Sequence, residues 1–139
     1  MQTFLEYYQQ KIQPQLAEID VFLKTEEPPY AIDRVSALLD IPPEEGERLL
    51  TEEKVSLVTR GVFLHFMQRG SSPLCRMFRR ELSCGSPQWY TPEQISYIYN
   101  LDIADVEGAA REMGESCFSA RTLPQLFRHI LISDKQYQK

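Results

Sequence analysis

Apolar residues recur at helical spacing along most of the chain. Phe4, Tyr8, Ile12, Leu16, Ile19 and Leu23 are spaced by four, four, four, three and four residues, which places them on one helix face. Pro14 interrupts the stripe, so either a kinked helix runs through it, or one helix ends near Lys11 and another starts at Pro14. Pro28-Pro29 ends whatever helix precedes it. A helix is predicted from about Ala31 to Leu39, then a turn at Asp40-Ile41-Pro42. The next helix has Pro43 in its first turn and Glu44, Glu45 and Glu47 near its positive end. Val55 to Met67 is almost wholly apolar and reads as a central helix buried on most sides.

Start and stop residues define the rest. Gly70-Ser71-Ser72-Pro73 reads as a loop, an N-cap serine and a proline at the first helical position, with the helix running to about Leu82. Gly85-Ser86-Pro87 is a turn. Thr91-Pro92-Glu93-Gln94 combines a cap, a proline and a capping-box glutamine ahead of a helix reaching Tyr99. Asp102 caps a helix through Met113, closed by Gly114, and a last helix covers Leu123 to Ile132. The tail, residues 133–139, is polar and reads as frayed. No Asn-Gly or Asp-Gly dipeptide and no sustained period-two alternation occurs. The predicted class is all-α, a compact domain of about seven helices.

A shift of 60 residues aligns two stretches. Tyr30 meets Tyr90 and Ser36 meets Ser96; Val35/Ile95, Leu38/Ile98, Asp40/Asn100 and Ile41/Leu101 are alike in kind. Met77-Phe78-Arg79-Arg80 then resembles Leu126-Phe127-Arg128-His129 at a shift of 49, so the second copy is shorter where the first has its long apolar helix. The organisation read from this is an N-terminal helical segment over 1–29, one unit over 30–85, a second over 86–132, and a flexible tail over 133–139.

Each copy resembles, at fold level, the helix-turn-helix of the winged-helix and homeodomain-like superfamily. The residues that carry it are clearest in 95–106: Ile95 and Ile98 pack inward, Ser96 is small at a close helix approach, Leu101 buries the turn, and Val106 faces back from the second helix. Two positions depart from the pattern: Asn100 stands at the turn glycine, and Gly46 holds in the first copy the inward position of Val106. The resemblance implies two helix-turn-helix-like units in a regulatory setting, and nucleic acid as the customary ligand.

Charge argues against that ligand. The chain of 139 residues carries a formal −5. In residues 102–114, Asp102, Asp105, Glu107 and Glu112 face one cation, Arg111. In residues 42–54, Glu44, Glu45, Glu47, Glu52 and Glu53 face Arg48 and Lys54. A recognition helix lies between two rows of phosphates, which repel uncompensated carboxylates. Basic residues concentrate elsewhere: residues 56–90 hold five cations and one acid, residues 119–139 four and one. Arg69, Arg76, Arg79, Arg80, Arg121 and Arg128, with Ser71 and Ser72, are therefore candidate contacts for DNA or an acidic partner. The competing expectation is that these arginines neutralise the acidic helices of the same chain. Phe4, Tyr8 and Ile12 are the candidate apolar partner face.

Other chemistry is not expected. Arg69-Gly70-Ser71-Ser72-Pro73 has the parts of a phosphate loop, but no P-loop lysine follows and a plain N-cap accounts for it. Cys75, Cys84, Cys117, His65 and His129 show no paired metal-ligand spacing, and the cysteines read as small buried apolar groups. Trp89, Tyr90, Tyr97 and Tyr99 read as a structural anchor between the repeats, because Tyr30 recurs at the same point. With two histidines and no nucleophile elbow, no catalytic residue, cofactor or small-molecule substrate is predicted. No apolar run reaches membrane length, and Met1 to Glu6 lack the features of a signal peptide. The expectation is a cytoplasmic, non-catalytic binding protein whose partner is another protein or a second copy, with a DNA-binding regulator as the alternative.

Overall fold

The computed structural model describes residues 2–133. The predicted frayed tail therefore lies, beyond Ser133, outside the described residues. Among the described residues the chain is all-α apart from one two-stranded ladder and two isolated bridges. In order it forms β1 (Gln2–Thr3), α1 (Phe4–Tyr7), a π-helical turn (Tyr8–Ile12), α2 (Gln13–Thr25), α3 (Ile32–Leu39) and α4 (Pro43–Glu53). There follow α5 (Arg60–Arg69), α6 (Pro73–Ser83), α7 (Pro92–Tyr99), α8 (Ile103–Met113), α9 (Leu123–Arg128) and β2 (Leu131–Ile132).

Pro14 does not break the N-terminal run. It lacks an N–H to donate to the Gln10 carbonyl, and its ring crowds that carbonyl. The residues just before it open into the wider π turn, and the helix resumes.

The chain divides into two units. The central unit is Gln13–Arg79; the terminal unit joins the residues up to Ile12 to those from Arg80 onward. These boundaries differ from the division into 1–29, 30–85 and 86–132 read from the recurrence. The N-terminal run is not a segment apart: its first part closes the terminal unit and α2 belongs to the central one.

In the central unit, Ile19 and Phe22 of α2 pack on Tyr30, Val35 and Phe63 in one apolar core. The Phe22 ring lies 4.7 Å from that of Tyr30 and 5.7 Å from that of Phe63, and the Arg34 guanidinium sits over it at 5.5 Å. Helix α3 ends on Asp40 in the left-handed region, and the Ile41 N–H donates to the Ser36 carbonyl at 3.0 Å. Helix α4 ends the same way on Lys54. The predicted helix over 55–67 therefore starts late. Residues 55–58 run outside any helix, Val58 pairs with Tyr30 across an isolated antiparallel bridge, and Thr59 caps α5. Phe63, Phe66 and Met67 are buried but Leu64 is 44% exposed, and Leu57, ahead of the helix, is 58% exposed, so α5 is half-covered rather than central.

The terminal unit repeats this path 60 residues later. Asn100 and Gly114 take the left-handed positions of Asp40 and Lys54, the Leu101 N–H donates to the Ser96 carbonyl at 3.0 Å, and Phe118 bridges Tyr90 as Val58 bridges Tyr30. Helix α9 stands at the place of α5 at the same shift, with Leu123, Leu126 and Phe127 buried as Phe63, Phe66 and Met67 are. The match of 126–129 to Met77-Phe78-Arg79-Arg80 at a shift of 49 therefore does not hold, and it is α6 that has no counterpart among the described residues. A turn tied by Ser119 and Thr122 leads straight into α9.

Helix α9 ends at Arg128, short of the predicted Ile132, because Leu131–Ile132 pair with Gln2–Thr3. Thr3 also opens α1 through a capping box with Glu6. Phe4 is fully buried, its N–H donates to the Ile130 carbonyl at 2.7 Å, and its ring meets Phe127 edge-on at 4.7 Å. Burying such a ring contributes about 2–3 kcal/mol.

Candidate functional site

The second helix of each two-helix unit turns apolar residues inward and charge outward. Gly46 and Leu49 of α4, and Val106, Ala109 and Ala110 of α8, are buried. Glu44, Glu47, Arg48 and Glu52 are exposed on α4; Asp105, Glu107, Arg111 and Glu112 are exposed on α8. Each exposed face thus presents three carboxylates against one guanidinium. Asp102 adds a fourth at the cap of α8, accepting the Ala104 N–H at 2.8 Å.

Part of this acidity is engaged within its own unit. Glu45 receives the Ser71 hydroxyl at 2.5 Å and the Ser71 N–H at 2.9 Å. Burial disfavours its charge, yet the Ser71 bonds and Arg48 outweigh burial and hold the carboxyl below its usual range. Glu52 meets Arg69 at 3.3 Å, Glu53 meets His65, and Glu112 meets His129 at 3.1 Å. No ion pair among the described residues reaches Glu44, Glu47, Asp105 or Glu107.

The arginines read as a basic ridge are divided in fate. Arg69, Arg76 and Arg79 belong to the central unit, and Arg80, Arg121 and Arg128 to the terminal one. Arg69 is on Glu52, Arg79 donates to the Gln68 carbonyl at 3.0 Å, and half-buried Arg80 donates to the Ile98 carbonyl at 2.9 Å. Arg76, Arg121 and Arg128 are exposed. Arg60, which no sequence pattern singled out, links Tyr30 and the Leu23 carbonyl at 3.2 and 3.0 Å.

The loop 69–73 is taken up internally. Ser71 holds Glu45, and buried Ser72 caps α6 by accepting the Cys75 N–H at 3.2 Å. Gly70 serves packing: a Cβ there would lie 2.5 Å from the Cys75 sulfur.

Phe4, Tyr8 and Ile12 do not form an exposed partner face. Phe4 and Ile12 are buried and Tyr8 is half-buried; the terminal unit's own Tyr99 and Phe127 cover Phe4 and Tyr8. Burial and the nearby Glu81 raise the Tyr8 hydroxyl above its ordinary value. Of the other aromatics, Tyr90 is buried and donates its hydroxyl to Glu81, while Trp89 and Tyr97 are 54% and 52% exposed. The cysteines are not uniformly buried: Cys75 is, Cys84 is half-buried and Cys117 is exposed. Among the described residues, no group of three or more His, Cys, Asp or Glu is placed to hold a metal ion, and no helix is long and apolar enough to cross a membrane.

No family model, curated protein or solved structure shows significant similarity to this chain.

Proposed function

We propose that this chain is a non-catalytic regulatory binding protein that engages a protein partner through the outward faces of α4 and α8. In this proposal the two units are helix-turn-helix-like modules that have lost their affinity for DNA. The observation that carries it is the exposure of Glu44, Glu47, Asp105 and Glu107 on equivalent helices, without ion pairs among the described residues. A groove-reading helix would set these carboxylates between phosphates, where no cation offsets them. A basic protein surface reverses the sign of that interaction. Free thiols in all three cysteines fit a reducing compartment, so the proposal places the chain in the cytoplasm.

The alternative is a DNA-binding regulator that touches phosphates through the basic segments 69–80 and 121–129, which take in most of α6 and all of α9. Exposed Arg76, Arg121 and Arg128 favour it; the internal bonds of Arg69, Arg79 and Arg80 count against it. Fluorescence anisotropy with a mixed-sequence duplex at low salt separates the two. No binding is expected. Salt-sensitive binding that disappears in the triple variant Arg76→Ala/Arg121→Ala/Arg128→Ala would overturn the proposal in favour of the alternative. In-cell cross-linking then compares wild type with Glu44→Lys/Glu47→Lys/Asp105→Lys/Glu107→Lys, which is expected to lose the captured partner.

A further inference from the structure

The terminal unit is completed by a segment remote in sequence. Residues 13–79 separate Ile12 from Arg80, where the rest of the unit begins. The segment occupies a groove formed by Tyr99, Phe127 and β2. Phe4 is fully buried, with its ring 4.7 Å from Phe127 and 6.0 Å from Tyr99. Tyr8 follows four residues later, 5.4 Å from Phe127 and 6.2 Å from Tyr99. The backbone joins through Phe4 N–H to the Ile130 carbonyl and through the pairs Gln2↔Ile132 and Thr3↔Leu131.

The segment is slight in its own structure. Helix α1 has four residues, each strand two, and Gln9, Gln10 and Lys11 are exposed. Its link to α2 is the π turn, which exists because Pro14 follows it. Released, the segment would expose Phe4 and Tyr8, and the groove would expose Phe127. Apolar surface of that kind is recaptured rather than left in water. A second copy of the chain carries the same groove and the same segment. Seating in trans remakes the Phe4 and Tyr8 ring contacts and the pairing with β2 made in cis, the condition under which element exchange between copies is cheap.

We infer that residues 2–12 are a strap that seats in this groove either in cis or in that of a second copy. The junction Ile12–Gln13, between the turn and α2, is the hinge, and Pro14 biases the strap towards its own chain. The inference goes beyond the acidic faces and does not depend on them.

The test uses full-length protein. Gel filtration with light scattering is run on wild type and Pro14→Ala from micromolar to millimolar concentration. Pro14→Ala restores the donor to the Gln10 carbonyl and lets the hinge run on as α-helix, so its dimer is expected at about tenfold lower concentration than that of wild type. A peptide of residues 2–13 should return the dimer to monomer, and the same peptide with Phe4→Ala should not. A folded Pro14→Ala protein that stays monomeric, or a dimer indifferent to the peptide, overturns the inference.

Should Pro14→Ala fail to fold, amide exchange in wild type decides. The amides of Leu5 to Ile12 should exchange about tenfold faster than those of Leu126 to Ile130, and faster again when the peptide is added. Equal rates unchanged by the peptide would make the segment an inseparable part of the core and overturn the inference.

Discussion

The Ser36 hydroxyl lies where a side chain at position 46 would begin: a Cβ built on Gly46 would sit 2.2 Å from Ser36 Oγ. Ser36 is 1% exposed, and its hydroxyl has no hydrogen-bond partner among the described residues. The equivalent Ser96 instead donates its hydroxyl to the Leu101 carbonyl at 2.6 Å, and the residue facing α7 from α8 there is Val106. The two copies thus solve one helix crossing with different pairs, serine on glycine and serine turned aside for valine.

Gly46→Ala should therefore destabilise the central unit, although alanine is the better helix former by about 1 kcal/mol. Overpacking against Ser36 costs more, about 1–3 kcal/mol. The double variant Ser36→Ala/Gly46→Ala should match or exceed wild type, because it removes the clash and the unpartnered hydroxyl together. Thermal denaturation of the three proteins checks this. A single variant as stable as wild type would contradict it.

The Glu45–Ser71 contact gives a pH dependence. The folded carboxyl titrates below its ordinary value, so its stabilising contribution is present above the carboxylate range and is lost as pH falls through it. Ser71→Ala should cost about 1.5–3 kcal/mol at neutral pH, the value of hydrogen bonds to a charged group. Urea denaturation at a series of pH values should show the difference shrinking in acid. A pH-independent difference would mean that the carboxylate is not what Ser71 stabilises.

The two bridge tyrosines should respond differently to loss of their hydroxyls. Tyr90 donates to Glu81, whose second oxygen is buried with no partner among the described residues. Tyr90→Phe leaves a carboxylate short of its donor and should cost about 2–3 kcal/mol. Tyr30→Phe should cost about 0.5–1 kcal/mol, since Arg60 keeps its bond to the Leu23 carbonyl. Burial and Glu81 push the Tyr90 hydroxyl well above the usual tyrosine range. Its contribution is accordingly present below that range and lost only in strong alkali. Chemical denaturation of both variants ranks them, and equal losses would remove the role given to Glu81.

Thiol labelling should resolve the three cysteines. Cys117 is exposed and should react first. Cys75 is buried, and burial raises its thiol above the ordinary value, so it should label only on unfolding. A time course with an aromatic disulfide reagent, followed by peptide mapping, reads the order. Rapid labelling of Cys75 in native protein would show that the core around Gly70 opens.

Helices α3, α4, α6, α7 and α8 were legible in the chain because their determinants are local. Proline at the first turn, Thr91 with Gln94, the Asp102 cap and Gly114 all act within five residues. The 60-residue recurrence was legible for the same reason, as was the acidic outer face of each second helix. What lay hidden was long-range. Whether Phe4 meets solvent or Phe127 depends on a residue more than a hundred positions away. Residues 55–58 and 131–132 had apolar sequences fit for a helix, but backbone pairing to Tyr30 and to β1 claimed them. Ser71, Arg69, Arg79 and Arg80 read from the chain as candidate contacts for DNA or an acidic partner, and only the packed chain sets them on Glu45, Glu52 and backbone carbonyls. Periodicity states which face of an element is apolar; the surface that covers that face is chosen by the competition among all segments for burial, and that choice exists only in three dimensions.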